Sequence, residues 1–306
     1  MTGHVLVVGE TLVDVVMGPD GTAAHPGGSP ANVALGLARL GRSVDLLTRL
    51  GQDANGALCA EHLQASGVQI VPGSAGAHAT SVATATLDAS GAATYDFDIA
   101  WDVSTSARLR NAPLAVHTGS IAAVMEPGAA TVHKIVSALR YTSTVTYDPN
   151  VRPSLMGSPD EARPAIARMV ALADVVKASD EDLAWLFPDS TADDAAREWS
   201  HAGPAMVVVT RGGDGATAFL HDGREITVKA PAVEVADTVG AGDSFMGGLI
   251  DGLWEAGLLG RDRRAALRAI DDAEVGLILR RCTRIAAITV SRAGANPPTR
   301  EELDAD

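Results

Sequence analysis

Lysine is nearly missing from this chain. Lys134, Lys177 and Lys229 are its only three, and the formal net charge is −14. An acidic surface repels nucleic acid and anionic lipid, so neither is an expected partner. Cysteine is equally sparse. Cys59 and Cys282 lie far apart, with no Cys-x-x-Cys and no His-Glu-x-x-His anywhere, which excludes a disulfide framework and a zinc site and leaves idle thiols of a reducing compartment. No apolar run approaches the ~18 residues of a membrane-spanning helix. A basic stretch followed by an apolar segment and a small-residue cleavage site is also missing at the start, so the cytoplasm is the expected location. There is no Gly-x4-Gly-Lys-Ser/Thr, which argues against a P-loop nucleotide site. Aromatics make up 4% of the chain, few for stacking on a base. Eight histidines are scattered outside any motif and read as structural.

What is present is the composition of a globular protein: 306 residues, 46% apolar and 20% charged. That length fits one large α/β domain or two small ones. Apolar strand patterns fall at Val5–Val8, 11–17, Val44–Leu50, Ala115–Thr118, Thr144–Tyr147, Val175–Lys177, Met206–Thr210 and Ala287–Val290. Helical patterns fall near 31–40, 54–66, 127–140, 160–173, 180–187, 192–202 and 263–281. Apolar strands alternating with helices predict a three-layer α/β/α arrangement around a mainly parallel sheet. Residues 80–99 break that rhythm, because two alternating runs flank Asp-Ala-Ser-Gly as in a hairpin. Another turn signal is Gly-Pro-Asp-Gly at 18–21.

The most telling run is Asp237-Thr-Val-Gly-Ala-Gly-Asp-Ser-Phe245. Gly240, Ala241 and Gly242 let the backbone turn tightly and approach a ligand. An apolar helical pattern follows them, and a helix start offers unpaired N–H groups and a positive dipole end to a phosphate. Asp243 at that spot is either a helix cap or a base that removes a proton beside a phosphoryl group. Far upstream, Gly27-Gly-Ser-Pro-Ala-Asn-Val-Ala34 pairs two glycines with Asn32, whose amide both donates and accepts and so suits a polyol. Asp14, near the end of the first strand region, lies where ligands of open α/β sheets collect.

Together the two glycine motifs resemble the signatures of the ribokinase-like (PfkB-type) carbohydrate kinases, and the likeness runs from Gly9 to Pro298. The resemblance implies a single ribokinase-like α/β domain over 1–306, with a small β-sheet lid from about 11–25 and 80–103. It implies an ATP- and Mg²⁺-dependent kinase with Asp243 as catalytic base and Gly240, Ala241 and Gly242 as an anion hole. Sugar contacts would come from Asp14, Gly27, Gly28, Asn32, Asn150, Arg152 and Asp243 itself. Ser179, Thr210, Gly212 and Gly215 would serve ATP, with Gly240 and Gly242. Asp182 stands where the family carries a Glu that organises Mg²⁺ through water, and it is one methylene shorter. Asp237 and the Val239 carbonyl match a monovalent-cation site, so K⁺ is expected. Lid-mediated dimers occur in the family, which leaves a homodimer open.

Gly-Glu-x-Leu-x-Asp, Gly-Gly-Ser-Pro-Ala-Asn and Asp-Pro-Asn-x-Arg most resemble fructokinase, phosphorylating a primary hydroxyl of the sugar. The alternatives are 2-keto-3-deoxygluconate kinase, ribokinase, or a catalytically silent sugar or nucleotide sensor on the same fold. The hairpin at 80–99 has no Lys or Arg, which favours a neutral sugar over an acidic one.

Overall fold

The computed structural model describes residues 3–18, 21–87, 93–103 and 109–305. In chain order, β1 (Val5–Val8) is followed by β2 (Leu12–Gly18), β3 (Gly21–Gly27) and α1 (Ser29–Arg39). Next come β4 (Val44–Leu47), β5 (Leu50–Gly51), α2 (Ala54–Ala65), β6 (Gln69–Ile70), β7 (Ala75–Ala77), β8 (Ser81–Leu87) and β9 (Ala93–Asp98). Alternation then sets in with β10 (Ala115–Gly119), α3 (Gly128–Leu139), β11 (Thr144–Asp148), α4 (Pro153–Met156), α5 (Pro159–Leu172) and β12 (Val175–Ser179). It continues through α6 (Asp180–Leu186), α7 (Ala192–His201), β13 (Met206–Thr210), β14 (Ala216–Leu220) and β15 (Glu225–Val228). Four helices close the chain: α8 (Ala241–Glu255), α9 (Arg264–Arg268), α10 (Asp272–Val290) and α11 (Arg300–Asp304).

Nine strands form the main sheet in the order β15-β14-β13-β12-β11-β10-β1-β4-β6. It is parallel from β6 to β13, and β14 and β15 add antiparallel strands at one edge. Side chains alternate across a strand, so each strand feeds two cores. Val5, Val7, Leu46 and Val208 pack under α1, α8 and α10. Leu6, Val8, Val145, Tyr147 and Val209 pack under the helices of the opposite layer. This two-sided burial accounts for the near-continuous apolar runs.

A second sheet of four strands has the order β3-β2-β8-β9. Here β2 pairs β3 antiparallel and β8 parallel, and β8 and β9 form the expected hairpin. The Asp-Ala-Ser-Gly turn at 88–91, and Pro19 and Asp20 of the other turn, lie outside the described residues. Strand β3, most of which falls in the expected lid segment 11–25 but is not itself an expected strand, carries His25 and Pro26 and no apolar alternation.

Three expectations fail. The run Val44–Leu50 divides into β4 of the main sheet and β5, which pairs with β7 in a two-stranded sheet. Ala287–Val290 is the last turn of α10, not a strand. Thr289 Oγ1 donates to the Ile285 carbonyl at 2.9 Å, the i−4 bond that lets a β-branched residue sit within a helix. The helical pattern at 263–281 is also two elements: α9 ends at Arg268 with Ala269 as its C-cap, and Asp271 caps α10, its side chain accepting from the Glu274 N–H. No helix among the described residues is long and apolar enough to cross a membrane.

Candidate active site

The C-terminal ends of β1, β10 and β11 open into a cleft of about 330 Å³. The starts of α1 and α8 close one side of it, and Asp14, Ala83 and Phe97 of the smaller sheet face it from another. Crevices at this end of a parallel sheet are where such folds bind ligands.

Asp243 lies in the first turn of α8 and is 7% exposed. Its Oδ1 accepts from the Ser29 hydroxyl at 2.7 Å and from the Asn150 amide at 3.4 Å. Its Oδ2 accepts from the Asn32 amide at 2.9 Å. Two helix starts more than 200 positions apart are therefore joined at one carboxylate, and Gly240 enters α8 in the left-handed region at φ 75°. By helix geometry the first-turn N–H groups have no intrahelical acceptor, so the mouth of α8 is electropositive beside Asp243.

Gly28 shows why the other motif needs glycine. Its φ is 102°, and a Cβ would stand 2.6 Å from the Glu10 carbonyl. Gly27 lies just outside the lining, where a Cβ would run into the Asp14 carboxylate. Burial raises the Asp14 carboxyl, while Arg152 and His25 pull it down. Asn150 takes φ 35°, uncommon for a residue with a side chain, and lines the cleft. Arg152 Nη1 donates to Asn150 Oδ1 at 2.8 Å and to the Val151 carbonyl at 3.0 Å, which holds the loop after β11 in shape.

The sequence reading missed the charge pair below this loop. Lys177 Nζ donates to Asp148 Oδ2 at 2.7 Å, with exposures of 2% and 0%. Burial pushes the Asp148 carboxyl up to about 6, against the pull of Lys177. Burial opposes the Lys177 charge, yet Asp148, Asp182 and Asp243 outweigh it and raise the ammonium. A Cβ on Gly242 would stand 3.0 Å from Lys177 Nζ, so the ammonium sits against the first turn of α8. The available signal was a lysine inside the apolar string Val175-Val-Lys-Ala, since a lysine is almost never buried without a partner. Ser29 and Glu10 were missed as well.

Of the remaining predicted residues Val239 lines the cleft, whereas Ser179, Asp182, Thr210, Gly212, Gly215 and Asp237 are outside its lining. Ser179 caps α6, its hydroxyl accepting from the Asp182 N–H at 3.0 Å. Asp182 answers with Oδ2 to the Ser179 N–H at 2.9 Å and uses Oδ1 on the Val151 N–H at 2.7 Å. Thr210 pairs with Ser179 in register and begins the turn that holds Gly212 and Gly215. Asp237 accepts from the N–H groups of Val239 at 3.0 Å and Gly294 at 2.8 Å, which keep its carboxylate below the usual range. No group of three or more His, Cys, Asp or Glu side chains able to hold a metal occurs among the described residues. A divalent cation caged by three or more such side chains does not fit this site. One that keeps its waters and is carried by phosphates does.

The model of the pfkB family carbohydrate kinases matches residues 2–302. A fructokinase of Rhizobium leguminosarum bv. trifolii is 33% identical, covering 86% of this chain and 83% of its own. An Escherichia coli fructokinase is 32% identical over the full length of both. Among solved structures, fructokinase from Xylella fastidiosa with bound ATP superposes with a TM-score of 0.85 at 24% identity, over 100% of this chain and 98% of that one. A Vibrio cholerae O395 fructokinase double mutant, in a form bound to fructose, ADP and potassium ion, gives 0.74 at 24% identity, over 98% and 96%. With its ribokinase-like fold and a helix-mouth acid at the head of the cleft, the chain belongs to the pfkB family and is an ATP-dependent carbohydrate kinase.

Proposed function

We propose that the enzyme phosphorylates fructose on its primary 6-hydroxyl, with Asp243 as general base. The hydroxyl proton passes to Asp243 as the oxygen bonds the γ-phosphorus of ATP, and the bond from that phosphorus to the β,γ-bridging oxygen breaks to release ADP. The N–H groups of Gly240, Ala241 and Gly242 hold the developing charge at the positive end of α8. Asp14, Gly27, Gly28, Asn32, Asn150 and Arg152 bind the sugar. Ser179, Thr210, Gly212 and Gly215 bind the nucleotide. Bound Mg²⁺ would supply neutralisation of phosphate charge, with Asp182 as the residue to hold it through water. Asp237 and the Val239 carbonyl would hold K⁺. The whole chain acts as one domain, and the smaller sheet is its lid. The observation that carries this reading is the Asp243 carboxylate, fixed by Ser29 and Asn32 at the mouth of α8 within the cleft.

A 2-keto-3-deoxygluconate substrate is the second reading, because Arg152 offers a guanidinium to an acidic sugar. ADP release measured over a panel of fructose, ribose, other hexoses and acidic keto-sugars separates the two. In the same assay Asp243→Asn should lower kcat by about 10³-fold, in the range of lost proton-transfer and charge-stabilising groups. A rate near the wild-type value in that variant would remove Asp243 from the role.

A further inference from the structure

Glu10 follows β1 on the cleft floor and has no part in the mechanism above. It is 4% exposed, yet it belongs to the cleft lining. Its own N–H and the Ser120 hydroxyl donate to the carboxyl. The oxygen Oε2 is buried with no hydrogen-bond partner among the described residues. Buried carboxyl oxygens are almost always paired, so an unpaired one beside a binding cleft is a group waiting for a ligand. The backbone around it agrees. Ser120, which touches Glu10, takes φ 53°, and with Asn150 it is one of two positive-φ residues other than glycine among the described residues. Both line this cleft.

We propose that Glu10 is a specificity-determining sugar contact: Oε2 hydrogen-bonds a sugar hydroxyl other than the reacting one and selects its configuration. The inference rests on the sugar-kinase reading of the same cleft. It explains why a carboxyl is tolerated so close to Asp243 while lacking a full set of partners.

The charge of Glu10 follows from what faces it. Burial pushes its carboxyl up to about 7, Arg152 from the loop after β11 pulls it down, and Asp243 from α8 pushes it further up. Below that pH the group is a neutral acid that can donate its O–H to a sugar oxygen without placing a second anion beside Asp243. Above it Glu10 is a carboxylate that accepts from a sugar hydroxyl instead, so the sugar contact through Glu10 changes as pH rises through about 7.

The test is the KM for fructose and for ATP between about pH 6 and pH 9 in wild type, Glu10→Ala and Glu10→Gln, with deoxy-sugars as further substrates. Glu10→Ala should raise the sugar KM about tenfold, as expected for losing one buried hydrogen bond, and leave the ATP KM within about twofold. The deoxy-sugar lacking the bonded hydroxyl should show no such penalty. Glu10→Gln cannot ionise, so its sugar KM should lose the wild-type change through neutral pH; this holds the test open if Glu10→Ala fails to fold. An unchanged sugar KM, or fructose and ATP KM values rising together, overturns the Glu10 assignment while leaving the kinase reading in place. A wild-type enzyme that turns over no sugar removes both.

Discussion

Lys177 and Asp148 carry opposite charges inside the sheet edge beneath the cleft, where neither reaches solvent. Removing one partner of such a pair strands the other charge in a low-dielectric interior, which costs far more than the pair contributes. Lys177→Met should therefore lower unfolding stability by about 3–5 kcal/mol in denaturant titrations. Lys177→Met combined with Asp148→Asn should recover most of that loss. If the single and double variants are equally unstable, packing rather than charge explains the lysine. Gly242 belongs to the same arrangement, since its missing Cβ leaves room for the ammonium. The residues the structure gathers around Asp243 were legible because each lies in a contiguous motif, Gly28 with Asn32 and Asn150 with Arg152. The Asp148–Lys177 pair was not legible. It joins the ends of two neighbouring strands 29 positions apart, and only strand order brings such ends together.

At the level of single elements, α6 shows how a cap and a loop are coupled. Asp182 completes the capping box with Ser179 and also holds the Val151 N–H of the loop carrying Asn150 and Arg152. Ser179→Ala should cost about 1 kcal/mol, an ordinary N-cap loss. Asp182→Ala should cost about 1–3 kcal/mol more, because a buried N–H at Val151 is left unpaired. Thermal unfolding of both variants checks this, and equal losses would show that the Val151 bond contributes nothing. Elements whose period is strong, such as β13 and α5, were legible in the chain. Ala287–Val290 was not, because Ala-Ile-Thr-Val has the β-branched content of a strand while long-range packing of α10 on α8 decides its state. Strands β14 and β15 escaped because a turn signal at Gly212–Gly215 reads the same whether or not strands flank it.

For the molecule as a whole, the smaller sheet reaches the cleft only through a few side chains, among them Asp14, Ala83 and Phe97. Strand β2 is anchored through Val13 on Leu50 and Cys59, whereas β3 is exposed over most of its length; exposed edges belong to the less stable part of a fold, and closing the sheet over both substrates would exclude water. Amide hydrogen exchange in β8 and β9 should slow several-fold when fructose and a non-hydrolysable ATP analogue are both present, relative to either alone. Exchange unaffected by the pair of ligands would mean that the sheet is fixed and not a lid. The Ser29–Asp243 bond spans 214 positions, and it has a consequence for synthesis. A nascent chain released before residue 243 carries every sugar contact proposed here but no proton acceptor and no complete helix mouth. Such a fragment also lacks α8 and α10, which cover one face of the main sheet, so the order of translation withholds both the finished core and turnover until the enzyme is nearly whole.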